Sequence, residues 1–230
     1  MPRLFAFSLA AILCLSQSLN ATTPEDGREF TRAAGDNVAM PKQCQPGKTS
    51  AEALGWRWKR GTKVRIQYLQ DNFTANEVAA LSRAVNNWNA ALAEIDSGVG
   101  FIVDEGEADN RTGPSILVQR GEPRGRDRVG ELRLRSVFNG KVSLSLTISP
   151  VVTDLEALTS LMTHEIGHSL GLADCYECRR GTTAMAAFKS KNKGNEVFQP
   201  SDCDLHMVAA GYAIRAEPTG SLSRLDGRND

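Results

Sequence analysis

The stretch THEIGHSLGLADC, residues 163–175, decides how this chain is read. His164 and His168 stand four apart. On a helix that spacing puts both imidazoles on one side, about one turn apart, where they reach a single ion. Glu165 sits beside the first histidine, placed to meet a water at that ion without being a ligand. Gly171 suits the left-handed end of a helix and lets the backbone reverse. Asp174, three residues further on, then swings back under the same point. A catalytic zinc usually takes three protein ligands and keeps one position open. The chain has three histidines, so the third ligand is His206 or a non-histidine. Asp174 is the residue read into that place. Cys175 is a rival by position but is expected to be oxidised, and His206 reads as a surface or packing residue of the last helix.

Working outward, the motif lies on a helix that opens with Thr153 and Glu156, read as a capping box. Leu155, Leu158, Met162 and Ile166 mark its buried face. A second capping box, Thr74 and Glu77, opens a longer helix. There Val78, Leu81, Val85, Trp88, Leu92 and Ile95 recur at helical spacing, and Trp88 reads as core. Val64, Ile66 and Tyr68 alternate as a strand, residues 99–105 and 115–119 read as two more, and residues 130–149 form a hairpin about Asn139-Gly140. Pro200 and Ser201 begin a last helix.

Lysine plus arginine equals aspartate plus glutamate, 27 each, so no global field points to nucleic acid or an anionic membrane. Residues 1–18 have one arginine, an apolar run too short to span a bilayer, and a small polar end. They read as a secretory signal peptide, which makes the protein secreted, or periplasmic in a bacterium. No stable membrane insertion is expected after its removal. Residues 19–55 read as a linker or short prosegment, 56–213 as the folded domain, and 214–230 as a disordered tail. Beyond Cys14 there are four cysteines, Cys44, Cys175, Cys178 and Cys203, an even number that in an oxidising compartment suggests two disulfides. Three pairings are possible. Long-range bridges are favoured, with Cys203 tied to one member of the C-x-x-C and Cys44 to the other. A structural zinc on four sulfurs is the alternative. Asn20, Asn72 and Asn110 lie in sequons that matter only in a eukaryotic secretory pathway.

His164, Glu165, His168, Gly171 and Asp174 resemble the metzincin pattern H-E-x-x-H-x-x-G-x-x-H/D, and GTTAMAAF places Met185 where that clan has its methionine turn. Residues 56–212 look most like a matrixin catalytic domain, with a tryptophan-led strand over residues 58–70 and a tryptophan in the first long helix. The aspartate is similar to the third ligand of snapalysin-like proteases. The resemblance implies an α+β zincin fold: a twisted, mostly parallel sheet with an antiparallel edge strand, two long helices above, and a small C-terminal subdomain with one helix. It implies one catalytic Zn2+ on His164, His168 and Asp174, with Glu165 as general base in peptide-bond hydrolysis. Ala186, Ala187 and Phe188 would wall the substrate pocket, and a peptide would lie along the sheet edge within residues 144–149. Calcium is not expected, because no stretch matches the calcium loops of animal matrixins. No tyrosine closely follows Met185, so an astacin-like tyrosine ligand is not expected either. Cys44 faintly resembles a cysteine switch, leaving latency or a disulfide as its role. The expected partner is a protein or peptide substrate, and the chain is expected to be a monomer. The competing readings are an inactive metzincin-fold binding module, which would have no need of Glu165, and a zincin hydrolase of a non-protein substrate.

Overall fold

A computed structural model describes residues 30–32, 40–106, 113–125, 127–138, 141–187 and 197–212. The expected signal peptide, the Asn139-Gly140 turn, Phe188 and the 214–230 tail lie outside the described residues. The elements in order are β1 (Phe30–Arg32), β2 (Trp56–Trp58), β3 (Lys63–Tyr68), α1 (Ala75–Glu94), β4 (Gly100–Glu105), β5 (Ser115–Arg120), β6 (Gly130–Phe138), β7 (Lys141–Ile148), α2 (Leu155–Ser169) and α3 (Asp202–Gly211).

The main sheet has five strands in the order β4-β3-β5-β7-β6. All neighbours are parallel except β6 and β7, so the sheet is mostly parallel with an antiparallel edge strand. Val64, Ile66, Ile116, Val118, Leu144 and Leu146 alternate along β3, β5 and β7 and are buried. β1 and β2 form a separate antiparallel pair. The strand expected over residues 58–70 is therefore two strands in different sheets. Gly61, at φ +83°, makes the turn between them.

The capping box of α1 forms as read: the Thr74 hydroxyl accepts from the Glu77 amide, and the Glu77 carboxylate accepts from the Thr74 amide. Leu81, Val85, Trp88 and Leu92 are buried. For α2 the cap differs from the expectation. Asp154, not Thr153, is the N-cap, and its carboxylate accepts from the Ala157 amide at 2.7 Å. An anionic acceptor at the positive end of the helix serves where a Thr153–Glu156 box was read. α1 and α2 pack against each other, and the Trp88 indole N–H donates to the Thr163 carbonyl at 2.7 Å across their contact.

Two further expectations change. β7 has β5 on one side and β6 on the other, so residues 144–148 are interior to the sheet; among the described residues its edge strands are β4 and β6, and β6 is the one that packs against α2. The disulfides are Cys44–Cys203 and Cys175–Cys178, not bridges from Cys44 and Cys203 into the C-x-x-C. The tight turn brings Cys175 and Cys178 to a Cα separation of 5.3 Å, within bonding range of each other. Through Cys203, Cys44 is joined to the first turn of α3. It is thereby a disulfide partner and not a free latency thiol. Folded structure also starts earlier than Trp56, since Cys44, Ser50 and Ala51 are all buried.

Candidate metal centre

α2 is buried along most of its length, from Leu158 through Gly167. Two of its buried polar residues are satisfied locally: the Thr159 and Thr163 hydroxyls each donate to the carbonyl four residues back. His164 and Glu165 are nearly inaccessible, and His168 lies at the mouth. The two imidazoles sit edge to face, with centroids 4.7 Å apart.

After α2 the chain turns at Gly171, φ +86°. The Leu172 amide donates back to Gly167 at 3.3 Å, closing the helix end. This turn delivers Asp174. Its Oδ1 lies 3.0 Å from His164 Nε2 and 3.6 Å from His168 Nε2. These three side chains are the group among the described residues whose donor atoms converge as a metal site requires. His206, on α3, is not part of it, and Cys175 is held in its disulfide.

Each residue of the cluster has a partner behind it. His164 Nδ1 donates to the Ala184 carbonyl at 2.8 Å, and His168 Nδ1 to the Leu172 carbonyl at 2.7 Å. Such bonds fix the ring orientation and aim Nε2 inward. Asp174 Oδ2 accepts from the Tyr176 hydroxyl at 3.2 Å. Ala184 is itself clamped: its amide and the Thr183 hydroxyl donate to Asp204, a fully buried carboxylate at the start of α3 that also takes the Ser201 amide. Met185 lies directly under α2. A Cβ on Gly167 would come within 2.3 Å of its sulfur, so only glycine allows this approach.

Burial alone would lower His164, but the Asp174 hydrogen bond and the charges of Glu165 and Asp174 raise it above the ordinary range. Burial alone would raise Asp174, but the His164 hydrogen bond and both imidazoles hold it at about 2. Burial, then the charge on His164, pushes His168 down to about 4. Burial pushes Glu165 up to about 7 against the pull of His164. Imidazoles ligate a divalent cation in their neutral form, so binding competes with protons and tightens as pH rises.

The donor set fits zinc. Two imidazole nitrogens and one carboxylate oxygen are its usual ligands at a catalytic site. Glu165 Oε2 is buried and without a hydrogen-bond partner among the described residues, and Glu165 lines the same cleft as the three donors. Glu165 fits there because β6 offers Gly130, where a Cβ would stand 2.3 Å from Oε1.

The cluster opens on a cleft of about 990 Å³. Its lining includes Leu54 and Trp56, Gly130 and Leu134 of β6, and Tyr176 and Ala187. Of the expected pocket wall, Ala187 lines the cleft. Ala186 packs against the Cys175–Cys178 bridge instead, and Phe188 lies outside the described residues. Sequence reasoning missed Gly130, Tyr176, Asp204 and the wall before Trp56. Only Asp204 had a readable local signal, as the third residue after the Ser201 cap.

No family model matches the chain, and no curated protein matches its sequence. Among solved structures it is similar to archaemetzincin from Methanopyrus kandleri, at 12% identity over 66% of this chain and 97% of that one, TM-score 0.41. It is similar to metalloproteinase-II from Bacteroides fragilis, at 16% identity over 77% and 58%, TM-score 0.41. It is also similar to myroilysin, at 13% identity over 76% and 96%, TM-score 0.42. With every TM-score below 0.5, function has to be read from the site itself.

Proposed function

We propose that the chain is a secreted zinc-dependent endopeptidase of metzincin type, matrixin-like in outline, with Asp174 in the snapalysin-like place of the third ligand. The observation that carries this is the meeting of His164, His168 and Asp174 beside the buried Glu165 carboxylate, on the floor of a cleft bounded by a sheet edge. His164, His168 and Asp174 would hold the ion. Zinc, when bound in such a site, brings the pKa of a water it holds to about 7.

Glu165 then acts as general base and acid. Its carboxylate accepts the proton of the attacking water and hands it to the nitrogen of the departing amine. A proton affinity raised by burial suits both halves of that cycle. β6 supplies the positioning. Among the described residues it pairs with β7 alone, so an extended peptide would add to its other edge by backbone hydrogen bonds. That edge replaces residues 144–149 as the substrate strand. Leu161, one turn before His164, and Leu144 contribute apolar surface to the same cleft. The two disulfides and the reading of residues 1–18 support export. No helix among the described residues is long and apolar enough to cross a membrane.

The test is Glu165→Ala, assayed for both metal and hydrolysis of an unfolded protein such as casein. The expected result is full zinc content with turnover reduced by about 100- to 10,000-fold, the usual weight of a general base. Wild-type turnover in this variant would defeat the reading.

A further inference from the structure

The segment before Trp56 reads in the sequence as linker or prosegment, yet it is built into the metal centre. At one end Cys44 is bonded to Cys203, next to the Asp204 carboxylate that clamps Ala184. At the other end residues 52–54 pair antiparallel with residues 171–173 about an Ala53–Leu172 bridge. The Leu54 amide donates to the Gly171 carbonyl at 2.7 Å, and the Ala173 amide donates to the Glu52 carbonyl at 2.8 Å. The backbone is so close here that a Cβ on Gly171 would stand 2.1 Å from the Trp56 carbonyl oxygen.

Alternation along this short pairing matters. The Gly171 carbonyl and the Ala173 amide face the strap, while the Gly171 amide donates to the His168 carbonyl at 3.0 Å and closes the helix end. Leu172, between them, turns its polar groups toward α2: its amide donates to Gly167 and its carbonyl accepts from His168 Nδ1. Asp174 follows immediately. One pair of hydrogen bonds thus fixes the acceptor that orients His168 and the take-off point of Asp174.

We propose that residues 44–56 are a permanent strap that sets the metal affinity of the site by holding the 171–174 turn, with the Leu54 amide as the positioning group. This rests on His164, His168 and Asp174 binding zinc, as proposed above. The strap meets the turn through backbone hydrogen bonds. It acts through Leu172 and Ala173, and it remains a wall of the cleft through Leu54 and Trp56. The outer partners of metal ligands commonly change affinity about 10- to 100-fold when lost, and the strap holds the backbone that presents two of the three.

The experiment measures zinc dissociation constants of the full chain by competition with a chromophoric chelator. It is paired with the visible spectrum of the cobalt-substituted protein, which reports the coordination sphere. Leu54→Pro removes the amide hydrogen, and Leu54→Ala keeps it. The expected result is a dissociation constant raised at least about ten-fold in Leu54→Pro with a changed cobalt spectrum, and a value within about two-fold of wild type in Leu54→Ala. If Leu54→Pro fails to fold, the double variant Cys44→Ser/Cys203→Ser takes its place, with weakened zinc binding expected. Wild-type affinity in Leu54→Pro, or in the double variant where that replaces it, would overturn the strap's role alone. Equal weakening by Leu54→Ala would likewise overturn the amide as the positioning group. A wild-type protein that takes up no zinc would overturn the metal reading and the strap together.

Discussion

α2 and the turns that follow it contribute to the same cluster by opposite means. α2 sets the spacing of His164, Glu165 and His168 through helix geometry and is capped within its own first turn by Asp154, while the loop after it orients the two rings. Residues 171–187 have no helix or strand of their own. They place Asp174, Ala184 and Met185 through ties to residues 52–54 and to Asp204 of α3, with the Cys175–Cys178 bridge as a brace within the loop itself. Half of the site is therefore secured locally and half by long-range ties. The irregular half is the one that single substitutions should loosen.

Asp204→Ala is the strongest way to break the second half. It strips a buried acceptor from the Thr183 hydroxyl and from the Ala184 and Ser201 amides together. The expected loss is about 3 kcal/mol or more in denaturant unfolding, with weakened zinc binding through His164, because each stranded buried group costs on the order of 1–3 kcal/mol. A change below about 1 kcal/mol would mean the turn does not depend on α3.

Gly167→Ala attacks the junction of the two halves. The new methyl group meets the Met185 sulfur and, at 3.1 Å, the Trp88 ring. Overpacking of this kind costs about 1–3 kcal/mol. A melting temperature equal to wild type would show that Met185 moves freely, and that the contact under α2 does not constrain the histidines.

Glu77→Gln is the mildest and touches only the regular part. Burial alone would raise the Glu77 carboxyl, but the Thr74 amide and hydroxyl and the Arg120 guanidinium hold it below its ordinary value of 4.5. A carboxyl depressed in the folded state adds stability above that value and loses it as pH falls through the folded one. Wild type should therefore melt above Glu77→Gln near neutral pH, and the gap should close in acid. A gap that widens in acid would reverse the sign of the interaction.

The same division explains what the sequence disclosed. The spacing of His164 and His168, the α1 stripe from Leu81 to Leu92 and the Thr74 cap all obey rules that act within a few residues, and they fold as read. Asp174 was legible because Gly171 announces the reversal. The cysteine pairing was not, since it depends on where the start of α3 lies in space relative to Cys44. Nor was the role of residues 52–54, whose composition is that of a linker and whose order comes from the backbone they meet. β7 was read as the edge because its alternation is the same whether one strand or two lie beside it. Topology, not pattern, gives that place to β6.

The central claim is that one metal ion is held jointly by the two halves. Elemental analysis of purified wild type beside Asp174→Ala, after dialysis against a metal-buffered solution, tests it most directly. The expected result is one zinc per wild-type chain and loss of that zinc in Asp174→Ala with the fold retained by circular dichroism. Full zinc retention in Asp174→Ala would contradict it, and would place the third ligand on some residue other than the one the turn delivers.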